Sequence, residues 1–140
     1  MCAALIEYLR ADLGGQNAYP AALRLDSVSR SVPWGLYDGG LEPTMGLAEV
    51  ILSRAFAQYG EPAQALRAAR RRTYTAFQGW WVWADQLREE ARLAVMVGDT
   101  AGAIGVYDHY LMLRSERPEH PAWAAQWDSV RAELAALVAR

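Results

Sequence analysis

Apolar residues recur along this chain three and four positions apart, and no run of four or more alternates cleanly with β-branched enrichment. The clearest stripe is near the C-terminus. Trp123, Trp127, Val130, Leu134 and Leu137 follow one another at intervals of four, three, four and three, and Asp128, Arg131 and Glu133 are read as lying off it. Pattern and punctuation together predict helices over 3–12, 20–30, 45–59, 62–73, 82–97, 100–115 and 121–139. Gly14-Gly15 breaks the first pair, the Pro- and Gly-rich stretch from Ser31 to Pro43 reads as loop, as does 74–80, and Pro118 and Pro121 set off the last helix. No strand is predicted, so the fold class is all-α.

One block repeats. Ser53 to Leu66 aligns without a gap on Ala91 to Ile104, an offset of 38 residues. Arg54 meets Arg92, Gly60 meets Gly98, Glu61 meets Asp99, Ala63 meets Ala101, and Ala65-Leu66 meets Ala103-Ile104. The shared punctuation has a physical reading. Gly60 and Gly98 stand where a helix ends, and glycine enters the left-handed conformation there without a Cβ penalty. Glu61 and Asp99 then open the next helix, where the dipole favours an acid and Asp can cap. Pro62 falls at the first helical position, where its missing N–H costs nothing. Each block therefore predicts an antiparallel helix hairpin.

At these blocks the chain resembles the tetratricopeptide repeat, a helix–turn–helix of 34 residues with small side chains at two packing positions. Counted from Ala84, the later hairpin offers Leu87, Ala91, Gly98-Asp99, Ala103, Tyr107 and Leu111 in the pattern's large, small, turn, small, aromatic and large places. Counted from Gly46, the earlier one offers Ser53, Phe56, Gly60-Glu61 and Ala65. The period departs from the pattern, Glu49 replaces a large residue, Arg72 replaces a small one, and Pro118 comes three places late. The resemblance covers 45–139 well and 1–44 poorly. It implies a right-handed solenoid of about three helix pairs in one continuous domain: 1–44 a degenerate pair and loop, 45–140 two hairpins and a capping helix. The stretch from Leu87 to Ile104 also looks like the helical-repeat tails of bacterial signalling proteins, where such repeats follow a kinase or transcriptional-activator module. That likeness implies a detached tail.

Composition narrows the function. A chain of 140 residues, 53% apolar with six Trp, can bury a core. Its net charge of −2 and pI near 5.7 argue against a polybasic nucleic-acid module. A single Cys2 excludes an intramolecular disulfide framework. The N-terminus has no basic segment before Glu7 and no apolar run nears the about 20 residues of a membrane span, so a cytoplasmic protein is expected. The absence of Lys beside 14 Arg points to a GC-rich genome.

Chemistry-bearing sets are sparse. There is no Gly-x-Ser-x-Gly, no Gly-rich phosphate loop with Lys, and no Lys for a Schiff base. Cys2 has no histidine nearby in sequence, and Glu89-Glu90 is read as an exposed pair. His109 and His120, with Glu116 and Glu119, match no metal-ligand spacing. Neither enzyme activity, cofactor nor metal is expected. A binding function is. Resemblance places Arg54 and Arg92 on a concave surface, where their forked donors suit an acidic peptide or a carboxylate. Trp80 and Trp81, in an aromatic cluster with Tyr74, Phe77 and Trp83, are candidate anchors for a partner; core packing is the competing reading. Arg67, Arg70, Arg71 and Arg72 suit the last turn of a helix through its dipole. Gly102 and Gly105 lie near one face of a helix, either to admit a neighbour or simply tolerated. The alternative function is self-association, end to end, through an apolar N-terminal face of Ala3, Leu5, Ile6 and Leu9.

Overall fold

The computed structural model describes residues 1–31, 42–71, 80–115 and 121–139, with side chains at 42–45, 80–83, 85, 114–115 and 121–123 outside that description. Among the described residues every regular element is a helix: α1 (Cys2–Leu13), α2 (Tyr19–Ser31), α3 (Glu42–Gln58), α4 (Pro62–Arg70), α5 (Trp80–Met96), α6 (Thr100–Ser115) and α7 (Pro121–Val138). All seven predicted helices are present. None of them is long and apolar enough to cross a membrane. The chain divides into two compact units, Met1–Gln78 and Gly79–Arg140, so the structural division falls after α4, where the sequence reading drew its internal boundary at 44. The predicted loops at 32–41 and 72–79, with Arg72, Tyr74 and Phe77, lie outside the described residues, as do Glu116, Pro118, Glu119 and His120.

Glycine stops produce the hairpins. Gly60 and Gly98 take φ of +76° and +80°. In each turn the following N–H closes a bond five residues back, Glu61 to the Phe56 carbonyl at 2.8 Å and Asp99 to the Ala94 carbonyl at 2.9 Å, the Schellman arrangement. Gly15 repeats the device after α1, with Gln16 N–H donating to the Ala11 carbonyl at 2.9 Å. The two acids after the repeated glycines behave differently. Asp99 Oδ1 accepts the Gly102 N–H at 3.0 Å and caps α6, whereas Glu61 makes no side-chain cap bond before Pro62, consistent with the cap preference for short oxygen-bearing side chains.

Burial reproduces the 38-residue repeat. Glu49, Leu52, Ser53, Ala55, Phe56 and Ala65 are all buried, and so are their equivalents Leu87, Glu90, Ala91, Leu93, Ala94 and Ala103. One expectation is corrected here. Glu90 is not on an exposed face; only 4% of it is accessible, because it occupies the core position that Leu52 holds one repeat earlier.

In the first unit, helices pack on their sequence neighbours, α1 on α2, α2 on α3 and α3 on α4. Leu25, Leu52 and Phe56 fill the centre. The start of α2 is fastened to the end of α3: Ala18 N–H donates to the Tyr59 hydroxyl at 3.1 Å, and the Tyr19 ring meets Phe56 edge-on at 6.3 Å. On α1, Leu5 and Tyr8 turn inward, so the apolar N-terminal face is built differently from the expected one. Leu5 is withdrawn, and Ile6 and Leu13 remain exposed at 47% and 85%.

Charge is also buried in this unit. Glu49, the departure from the repeat pattern, is 3% exposed and accepts from Arg71 Nε at 3.2 Å and Nη2 at 2.9 Å. The same guanidinium reaches Asp26 Oδ1 at 2.5 Å, Ser29 donates its hydroxyl to Glu49, and Arg30 approaches Asp26 Oδ2 at 2.9 Å. Burial alone would lower the Arg71 pKa; the hydrogen bond and charge of Glu49, and then those of Asp26, outweigh it and raise the pKa. The basic run is thus not simply a set of dipole-favoured cations. α4 ends at Arg70, and Arg71, its C-cap, turns inward as the counter-ion of two carboxylates.

The second unit stacks α5 on α6 and α6 on α7. Ala84, Ala91, Ala94 and Ala103 line the α5–α6 core with Leu87, Leu93 and Tyr107; short side chains let helix axes approach to about 8–10 Å. Val130 and Leu137 are buried and Trp127 and Leu134 half-buried, so the described part of the C-terminal stripe faces inward. Of the two readings of Gly105, tolerance is the one the packing supports. A Cβ there would meet nothing within 4 Å, so no neighbour requires it.

The glycines separate two effects. Gly98→Ala places a side chain in the left-handed region at a cost of about 1–2 kcal/mol, with no steric clash to add to it. Gly105→Ala, in the open face of α6, stabilises by about 1 kcal/mol through helix propensity. Urea denaturation of the two variants beside the parent reads both signs.

Candidate functional site

The second unit carries a groove of about 350 Å3 between α5 and α7, floored by Tyr107 of α6. Helical spacing builds its walls. Arg92, Val95 and Met96 project from the last turns of α5, and Glu133, Ala136 and Leu137 from α7. These are positions three and four apart on each helix, so they share a face.

Beneath the groove lies a four-residue polar cluster. Arg88 Nη2 donates to Glu133 Oε1 at 2.7 Å and to Ser129 Oγ at 2.9 Å. Ser129 donates its own hydroxyl to Glu133 Oε1 at 3.1 Å, and the Tyr107 hydroxyl donates to Glu133 Oε2 at 2.7 Å. Three helices are therefore joined at one carboxylate. Burial pushes the Tyr107 hydroxyl pKa upward, and its hydrogen bond to Glu133 pushes it further. For Glu133, burial would raise the pKa, but the bonds from Tyr107, Arg88 and Ser129 outweigh it and hold the carboxyl below its ordinary range. The charge of Glu133 is thus answered within the protein.

Arg92 is different. Its side chain is 61% exposed, and among the described residues it pairs only with Glu89, through one nitrogen at 3.3 Å. A long surface pair of this kind contributes at most a few tenths of a kcal/mol, so the guanidinium keeps donors available at the rim. Apolar walls of Val95, Met96, Ala136 and Leu137 beneath an accessible cation suit an apolar side chain next to an anionic group.

The other sequence-predicted residues are placed as follows. Arg54 is exposed on α3 in the first unit. Trp80 and Trp81 begin α5, with side chains outside the described residues, as is that of Trp83. His109 is half-buried on α6. In the first unit a cleft of about 400 Å3 between α1 and α2 is lined by polar groups including Arg10, Gln16 and Asn17, with Glu7 and Arg24 paired across it.

Sequence reasoning missed Arg88 and Ser129 and took Tyr107 as packing alone. Glu133 is corrected from its place off the stripe. It follows Val130 by three and precedes Leu137 by four, so it belongs to the buried face. An acid at a core-phased position, with an arginine on a neighbouring helix to meet it, is the signal that was available.

The Glu133 carboxylate supplies a pH signature. Its pKa is depressed in the folded state, so its stabilisation is complete above the unfolded-state pKa and is lost as pH falls through the folded value. Glu133→Gln costs about 1–2 kcal/mol at neutral pH, and the gap to the parent closes in acid; urea midpoints measured from pH 7 to pH 3 read the closure. Comparison with protein-family models, with curated proteins and with solved structures found no match to this chain.

Proposed function

We propose that this chain is a protein-binding module of tetratricopeptide-like helix pairs, whose α5–α7 groove takes an apolar, acid-bearing segment of a partner. The observation that carries this reading is the groove itself: largely apolar walls, a rim cation with donors to spare, and a Glu133 carboxylate already answered by Arg88 and Tyr107. Specificity then arises from Arg92, whose planar fork donates to a carboxylate, while Met96 adapts to the apolar part.

The repeat geometry supports the same reading. The doubled burial pattern 38 residues apart and the glycine-stopped hairpins are what a short solenoid needs, and in a solenoid alternate helices line one continuous surface. Under this reading α5 and α7 are the surface helices of successive pairs, and α7 also closes the stack. The function is recognition, with the fold holding the groove open.

Panning a displayed random-peptide library on the chain tests the proposal. Peptides enriched on the parent contain an acidic residue beside a large apolar one, and their binding falls about tenfold or more on Arg92→Ala. It is lost on Met96→Glu, which puts a charge on the exposed part of the apolar wall. A library that yields no enrichment, or peptides that bind the Arg92→Ala and Met96→Glu variants as well as the parent, overturns it.

A further inference from the structure

Two helices of this chain present complementary faces to solvent. On α1, Arg10 is exposed opposite buried Leu5 and Tyr8, at the outer edge of the α1–α2 cleft, with Ile6 one turn before it and Leu13 one turn after, and both apolar side chains are open to solvent. On α7, Asp128 stands at the centre of the outer face, flanked by Ala124 and Ala132, with exposed Val138 further along. Among the described residues neither Arg10 nor Asp128 has an ion-pair partner. One face offers large apolar groups around a cation, and the other offers room around an anion.

We infer that copies of this chain associate head to tail, the outer face of α1 on one copy lying antiparallel against the outer face of α7 on the next. The Arg10–Asp128 pair sets the register. Antiparallel about that pair, Leu13 comes level with Ala125 and Ile6 with Ala132, and the α1 N-terminus lies beside Val138. A parallel arrangement gives Ile6 an alanine, Ala124, but sets Leu13 level with Arg131, whose guanidinium stacks 4.6 Å from the Trp127 ring, so only the antiparallel one gives both large apolar groups an apolar partner. Alanine opposite leucine or isoleucine permits close helix approach. The contact joins two different surfaces, so association extends past a two-fold dimer, to a closed ring or an open chain. It buries a single helix face, at the small end of specific interfaces, and so emerges as concentration rises. It uses neither the walls of the α5–α7 groove nor Arg92, and stands independently of what that groove binds.

Sedimentation velocity over a concentration series tests it with the intact chain. The weight-average mass rises with concentration. Arg10→Glu and Asp128→Arg each weaken association by roughly tenfold or more, since each sets like charges face to face. Both changes in one chain restore it. Far-ultraviolet circular dichroism confirms that these surface variants keep their helices. In parallel, Val138→Cys forms thiol cross-links with Cys2 of neighbouring copies, which builds a ladder beyond the dimer; the parent, with one exposed thiol, stops at a dimer. A monomer mass at every concentration overturns the inference. So does association that only one of the two reversals weakens, which is the behaviour of a symmetric contact, or that neither weakens.

Discussion

The arginine–carboxylate bond, buried at Glu49 and half-buried at Glu133, is the interaction on which both units depend. An alanine-rich helix removes little apolar area per residue, at about 25 cal/mol per Å2, so these hairpins gain much of their cohesion from close approach rather than from large side chains. Close approach between sequence neighbours does not by itself fix how a third helix lies on a pair. In each unit an arginine does that. Arg71 joins the end of α4 to Asp26 on α2 and Glu49 on α3, and Arg88 joins α5 to Glu133 on α7 while Tyr107 brings in α6. A buried ion pair can equal an apolar substitute in net stability, but breaking one side of it leaves an uncompensated charge. These clusters therefore act on register: only the arrangement that brings all partners together avoids a stranded carboxylate.

The same bonds shape the surface. Because Glu133 spends its charge on Arg88, Ser129 and Tyr107, the floor of the α5–α7 groove is neutral, and Arg92 four residues beyond Arg88 is the cation left at its rim. Neutral floor and charged rim follow from one helical repeat distance along α5. Consecutive turns of the same helix thus differ in role, the inner arginine holding the fold and the outer one left accessible at the rim.

The helices and turns were legible in the sequence for local reasons. A glycine at Gly60 or Gly98 followed by an acid is a statement about a few adjacent backbone groups, and so Schellman stops and the Asp99 cap appear where the pattern places them. The polar clusters were not legible, because they depend on partners 20 to 45 positions apart that only tertiary packing brings together. Composition also misled. Glu90 and Glu133 read as surface because acids usually are, although both are in phase with buried positions, and phase is the stronger signal in a helix with one apolar face. Of the candidate binding residues, Arg92 was legible because the repeat pairs it with Arg54 on an outward position; its groove was not, since Leu137 and Met96 meet only across two helices.

Native-state hydrogen exchange on the Arg88→Met variant tests the central claim most directly. If the arginine cluster holds α7 in register on α5 and α6, amides of α7 lose protection first and most, those of α5 and α6 follow to a lesser degree, and α2 to α4 keep the protection of the parent. Protection lost evenly over all helices, or retained in α7, would contradict it.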